Sequence, residues 1–385
     1  MDGKRFLNSV KFTNLLSFGP EGMELELQPL NVLIGPNGSG KSNFIDAMRI
    51  LQAITIDINI PFSKGDTVAE WLWKGEFIRN SNFITNCVFN NDNIYISYSA
   101  DIIANRPRSG FTREMISTHK DVSLLNKDFD AVSSNGYFDY IDNHEKQISQ
   151  SFTKNNNFVG RRQQYILQIL ELQNIRIYSD YEIGRYSKIR MPQNASLDPG
   201  DIFEGFGNLS LVINDLISRP EILTQIIEKM KIFYENVVNV NTRVAFGTIQ
   251  IYLQELSLSE TIPATRLSDG TIRFLSLLAI LLHPEPPPLI CLEEPEIGMH
   301  PDILSTIAEL LIGASKRTQL IVTTHSDILL SAIGKTCPEA IVVCEKGPSG
   351  TNMTRPDPEQ LAKWIEENSD LGNVWLSGLI GGNRW

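Results

Sequence analysis

The segment Gly35-Pro36-Asn37-Gly38-Ser39-Gly40-Lys41-Ser42 carries the clearest chemistry in the chain. It fits the pattern G-x-x-x-x-G-K-[ST]. Glycines let such a backbone curl until successive N–H groups face one centre, and a following helix adds its positive N-terminal end. A concavity of that kind holds phosphates. Asn37, Gly38, Ser39 and Gly40 form its wall. Lys41 is spaced to reach the β- and γ-phosphates of a nucleoside triphosphate, and Ser42 to hold Mg²⁺.

Two further segments end in groups that such a loop needs. Leu289-Ile290-Cys291-Leu292 is an apolar run followed by Glu293 and Glu294. One carboxylate at a strand end can orient Mg²⁺, and its neighbour can take a proton from an attacking water. Glu293 fits the first role and Glu294 the second. Asp is common at the metal-side position, so Glu293 reaches one methylene further. Leu320-Ile321-Val322 runs into Thr323-Thr324-His325-Ser326. His325 could donate to the γ-phosphate and report its loss. Its spacing after Glu294 fits one strand-helix-strand repeat, which puts both on one sheet edge, where α/β ligands bind. His119, His144, His283 and His300 show no metal-ligand spacing. Finally, Leu267-Ser268-Asp269-Gly270-Thr271-Ile272-Arg273 opens an apolar helix. Ser268 and Gly270 would present a second positive helix end. One triphosphate site does not need two, so the second makes sense if it completes a neighbour's site.

The elements that must position these groups are α/β in rhythm. Met23–Leu27 alternates, Val32–Gly35 is a buried run, and Phe44, Ile45, Met48 and Leu51 recur at helical spacing. Met1–Ala53 therefore reads as the first βα unit. Strands at Leu289–Leu292, Leu320–Val322 and Ile341–Val343 and helices at Thr271–Leu282 and Ile303–Ile312 resume the rhythm after Thr265. The expected fold is an α/β head built from 1–53 and 265–385, with 54–264 as an inserted mixed α/β region. Inside the insertion, Tyr95–Tyr98 and Ile249–Leu256 read as strands, and Tyr165–Leu172 and Ile222–Phe233 as amphipathic helices. The polar stretch 126–157 reads as exposed and partly mobile.

Composition sets the bounds. The chain has 385 residues, 42% hydrophobic and 21% charged, enough for a sizeable core. Its net charge of −11 excludes a generic nucleic-acid sponge. Lys154, Arg161, Arg162, Arg176, Arg185, Lys188 and Arg190 nonetheless make a locally basic stretch, read either as a nucleic-acid footprint or as a solvated face balancing nearby acids. Cys87, Cys291, Cys337 and Cys344 form no CxxC pair and read as buried reduced thiols, which fits the cytoplasm. No secretory signal or spanning segment is expected.

The order of phosphate loop, LSDG, LICLEEPE and TTHS resembles the ABC-class ATPases. Phe12-Thr13-Asn14-Leu15-Leu16-Ser17-Phe18, LSDGTIR and EPEIGMHP narrow the resemblance to the SMC/RecF/OLD branch. Trp375-Leu376-Ser377-Gly378 and Gly381-Gly382 resemble a tail of small bacterial ATPases of this type. The resemblance covers 1–53 and 265–385. It implies a P-loop ATPase using ATP and Mg²⁺, in which Ser268, Asp269 and Gly270 of one subunit close over the ATP of the other. Glu296 to Pro301 corresponds to the segment that contacts the partner. Arg273 could reach the partner's phosphate or salt-bridge within its helix. The family's Q-loop glutamine is not assigned, with Gln163, Gln164 and Gln168 as equal candidates.

The chain between 53 and 265 is too short for long coiled-coil arms, and too few residues follow TTHS for a nuclease domain. The leading expectation is an ATP-gated homodimeric switch in anti-phage defence or DNA metabolism, with a separately encoded effector such as a nuclease or toxin. The alternatives are a self-sufficient RecF-like DNA repair ATPase, a transporter's ATPase subunit, and a nucleotide-binding scaffold with little turnover.

Overall fold

The computed structural model describes residues 3–62, 67–75, 82–91, 94–105, 108–119, 167–179, 183–197, 199–200 and 202–380. Three sheets organise them. A five-stranded antiparallel sheet contains β1 (Ser9–Thr13), β2 (Met23–Glu26), β4 (Asn82–Asn91), β5 (Ile94–Asn105) and β6 (Arg108–His119), in the order β2-β1-β4-β5-β6. A six-stranded sheet contains β3 (Leu30–Ile34), β7 (Arg176–Tyr178), β12 (Leu289–Glu293), β13 (Gln319–Thr323), β14 (Ile341–Gly347) and β15 (Gly350–Thr354), in the order β15-β14-β3-β13-β12-β7. All its pairings are parallel except the β14–β15 hairpin. A small antiparallel sheet joins β8 (Gln193–Asn194), β9 (Val237–Ala245), β10 (Thr248–Glu255) and β11 (Ile262–Pro263).

The six-stranded sheet is buried on both faces, and residue alternation divides its side chains between two cores. Leu30, Val32, Ile290, Leu292, Leu320 and Val322 enter one core; Leu33, Leu289, Cys291, Ile321 and Val342 enter the other. This is why these strands read as continuous apolar runs. Each such side chain contributes about 1.5–3 kcal/mol on full burial. The first core takes helices Asp269–Leu281, Leu304–Ser315, Asp327–Gly334 and Leu371–Leu376. The second takes the helix Lys41–Ile54, which is pressed between the parallel and antiparallel sheets. Phe12, Phe18 and Phe44 meet there, with ring centroids 5.6, 5.6 and 6.4 Å apart. That aromatic cluster anchors the helix that follows the phosphate loop.

One strand departs from the sequence expectation. β7 lies within 54–264 yet pairs in parallel with β12, from Ile290↔Arg176 to Leu292↔Tyr178. A three-residue strand is too short to show a periodicity. The segment Tyr165–Leu172 enters the described residues only from 167, where one helical turn runs into a 3₁₀ turn at Glu171–Asn174. The stretch 126–157 lies outside the described residues. The four cysteines are free and buried. Among the described residues, no helix is long and apolar enough to cross a membrane.

Candidate functional site

The site collects at the carboxyl edge of the six-stranded sheet. β3 runs straight into the phosphate loop. β13 lies between β3 and β12, with Thr323 opposite both Leu33 and Glu293. The ends that carry Gly35, Glu293 and His325 are therefore adjacent, as the spacing of the motifs requires.

Backbone conformation shapes the loop. Gly38 has φ +77 and no atom within 4 Å of a Cβ built there, so its face is open. Gly40 has φ +105, and a Cβ would fall 2.3 Å from Thr351 Oγ1. Both positions require glycine. The Thr351 hydroxyl sits 2.8 Å from Ser17 Oγ and 3.0 Å from the Ser39 carbonyl, so β15 and the Ser17 turn clasp the loop from behind. The helix Lys41–Ile54 begins with no side-chain cap and no acidic residue in its first turn. Its first N–H groups are left for an anion.

Lys41 is 5% exposed, and its Nζ donates to the Gly35 carbonyl at 2.8 Å and to the Pro36 carbonyl at 3.1 Å. Burial lowers its pKa, while Cys344, Glu294 and Glu293 pull the other way. Ser42 Oγ hydrogen-bonds Glu293 Oε1. Ser39 Oγ is buried with no hydrogen-bond partner. These donors fit a polyphosphate. Among the described residues, no cluster of three or more His, Cys, Asp or Glu could hold a metal ion. Mg²⁺ fits instead at the Ser42–Glu293 pair, since it is usually bound by one or two carboxylates together with substrate phosphates.

Glu294 follows β12 with φ +45. A non-glycine residue in this region stores strain that clusters at functional sites. Its N–H donates to the Thr323 carbonyl at 3.0 Å, with Thr323 Oγ1 at 3.2 Å. Its Oε1 lies 3.6 Å from His325 Nε2. Burial and the Lys41 charge hold His325 below the ordinary imidazole value of 6.5, opposed by Glu294. Folding thus disfavours protonation: the ring is neutral at pH 7, and folding becomes less favourable as pH falls below 6.5. We expect the His325 resonance, identified by comparison with His325→Gln, to titrate below 6.5 in an NMR pH series. A midpoint above 6.5 would contradict this geometry.

The sequence reading missed the role of Glu296. Its Oε1 accepts from Thr324 Oγ1 at 2.5 Å and from the His325 backbone N–H at 3.0 Å. Burial raises its pKa, and the Thr324 hydrogen bond opposes that rise. Glu296 therefore ties the segment after β12 to the histidine turn. An acid immediately after Pro295 was the available signal.

The LSDG segment is organised differently. Ser268 caps the helix Asp269–Leu281, its Oγ accepting from Thr271 N–H at 3.0 Å. A Cβ on Gly270 would fall 3.3 Å from the Phe233 ring and 3.4 Å from the Gly298 carbonyl. Asp269 pairs with Arg190. Arg273 Nη1 donates to the Ile297 carbonyl at 2.7 Å, joining this helix to the 296–301 segment of its own chain.

Arg190 corrects the basic-patch expectation. It is 2% exposed, and its guanidinium is consumed by internal acceptors, so it is not a nucleic-acid contact. Basic sequence surroundings conceal burial when the acceptors are distant in sequence. Arg185 and Lys188 are exposed, whereas Arg161 and Arg162 lie outside the described residues. Gln163 and Gln164 also lie outside them. Gln168 precedes β7, whereas the residue at the carboxyl end of β7 is Ser179, which Arg49 engages.

Similar architectures occur among solved structures. One is the Smc head bound to the C-winged helix domain of ScpA, with TM-score 0.60 and 14% identity over 92% of this chain and 99% of that one. The Smc head with an extended coiled coil bound to the C-terminal domain of ScpA, from Pyrococcus furiosus, gives 0.59 and 13% over 94% and 98%. The Smc head with a coiled coil and joint from Pyrococcus yayanosii gives 0.53 and 11% over 94% and 99%. At these identities the likeness concerns the fold. A search of curated proteins returns no match. The family model described as "AAA domain, putative AbiEii toxin, Type IV TA system" matches residues 30–331. The match spans the phosphate loop, LSDG, both carboxylates and His325, and the chain therefore belongs to this AAA-domain family, with a fold similar to that of Smc heads.

Proposed function

We propose that the chain is an ATP-hydrolysing switch in which two copies sandwich two ATP molecules. The convergence of Lys41, the Ser42–Glu293 pair, Glu294 and His325 at one sheet edge carries this reading. Lys41 exchanges its two carbonyl partners for phosphate oxygens, and the N–H groups of 37–42 cradle the same phosphates. Mg²⁺, when bound, neutralises charge on the β- and γ-oxygens, and Ser42 and Glu293 are the residues that would hold it. Glu294 accepts the proton of the attacking water. His325, with the one N–H of its neutral ring, donates to the γ-phosphate. Ser268 and Gly270 of the second copy close over the ATP, so hydrolysis opens the interface.

Residues 1–53 and 265–385, completed by β7, form the head in this reading, and the rest of 54–264 is inserted. The head works with a separately encoded effector, a nuclease or toxin, in anti-phage defence or DNA metabolism within the cytoplasm. The toxin–antitoxin wording of the family description supports a defence setting. Two of the similar heads are described as bound to ScpA domains, which supports a head that acts through another protein. The loss of Arg190 from the basic patch removes support from the self-sufficient DNA-binding alternative.

Complementation tests the composite site. Lys41→Ala and Ser268→Tyr chains should each hydrolyse poorly alone. Mixed, they form one site with an intact phosphate loop and an intact partner segment, and phosphate release returns. Hydrolysis by Ser268→Tyr alone at the wild-type rate would sink the reading.

A further inference from the structure

We propose that Arg190 is a positioning residue for the trans-acting half of the site, an inference that rests on the composite-site reading above. Its guanidinium is almost wholly buried and makes four contacts. Nε donates to the Ile183 carbonyl at 3.4 Å. Nη1 donates to the carbonyls of Ala264 at 3.0 Å and Leu267 at 2.5 Å. Nη2 donates to Asp269 Oδ1. Its own carbonyl accepts from Gln250 Nε2 at 3.1 Å, which ties it to β10.

Two of these acceptors flank Ser268 directly. Leu267 precedes it and Asp269 follows it. The guanidinium therefore staples the turn between the 3₁₀ segment Ala264–Arg266 and the helix Asp269–Leu281. The Ser268 hydroxyl and the first N–H groups of that helix point where this staple holds them. A planar fork can serve both sides of Ser268 at once, whereas a lysine ammonium is a point donor. The staple also occupies the Asp269 carboxylate. An unpaired acid at this helix end would repel the phosphates that Ser268 and Gly270 are proposed to meet. None of the four acceptors belongs to the phosphate loop, so Arg190 should matter to the partner's ATP and not to the ATP bound by its own Lys41.

The complementation design tests this with Arg190→Gln. Alone, the variant should hydrolyse roughly 10²-fold more slowly than wild type, the scale of a small misplacement of a reacting group. Its affinity for a fluorescent ATP analogue should be unchanged. Mixed with Lys41→Ala chains, it should recover hydrolysis, because its intact phosphate loop then meets an intact LSDG segment. A Lys41→Ala/Arg190→Gln double variant should fail to support a Ser268→Tyr chain. Asp269→Asn, which leaves the three carbonyl contacts in place, is the milder variant and should slow hydrolysis in the same direction. Arg190→Lys should restore only part of the rate. If Lys41→Ala and Ser268→Tyr chains do not complement each other, the composite-site reading falls and this inference falls with it. If they do complement, two results overturn the Arg190 inference alone. One is wild-type hydrolysis by Arg190→Gln. The other is an Arg190→Gln defect that Lys41→Ala chains cannot rescue, which would mark a fold-wide role.

Discussion

If Glu294 is the general base of the proposed reaction, Glu294→Gln should lower the hydrolysis rate by roughly 10²- to 10⁴-fold, the usual contribution of a positioned general base, and should leave ATP binding intact. The backbone of Glu294 is held in place. Its N–H is fixed to Thr323, its φ of +45 turns the residue out of the strand line, and its carboxylate faces His325. Glutamine preserves the shape and the backbone and loses only the capacity to take the proton. Phosphate release at saturating Mg-ATP, with fluorescent-nucleotide binding in parallel, measures both halves. An unchanged rate would mean that another group activates the water.

Lys41→Ala should act one step earlier and weaken binding itself. The ammonium is buried under the loop and meets the Gly35 and Pro36 carbonyls, which cannot neutralise it. Phosphate oxygens would give it charged hydrogen-bond acceptors in place of these carbonyls. A charge-assisted hydrogen bond contributes about 1.5–3 kcal/mol, so ATP affinity should fall roughly 10- to 150-fold. Calorimetric titration with ATP reads the loss. A thermal melt should show a folded protein, because the helix Lys41–Ile54 is anchored by Phe44, Ile45, Met48 and Leu51. ATP affinity that survives the substitution would place the triphosphate elsewhere.

Much of this site was legible in the sequence because its parts are local. The phosphate loop is a contiguous pattern between a buried strand and an amphipathic helix. Glu293, Glu294 and His325 each terminate an apolar run, and parallel strands of a doubly covered sheet bring such ends together. The helices Pro220–Phe233 and Leu304–Ser315 and the strand β10 also follow their apolar periodicities. What escaped depends on long-range pairing. β7 has three residues and no period of its own; it is a strand because β12 lies beside it. Arg190 is read as surface until Ala264, Leu267 and Asp269 are folded around it. The Thr351–Ser17 clasp joins residues at opposite ends of the chain, and neither type announces a role. The Arg273 contact with the Ile297 carbonyl on the 296–301 segment likewise joins residues far apart in the sequence.

In the proposed sandwich, ATP joins two copies of the chain through the LSDG segment. Light scattering during size exclusion of Glu294→Gln, with and without Mg-ATP, tests it most directly. The account predicts a monomer mass without nucleotide and twice that mass with Mg-ATP, because the nucleotide persists once hydrolysis is blocked. Adding Ser268→Tyr to the same chain should return the monomer. A mass that ignores ATP would contradict the claim and leave a phosphate-binding ATPase fold without a composite site.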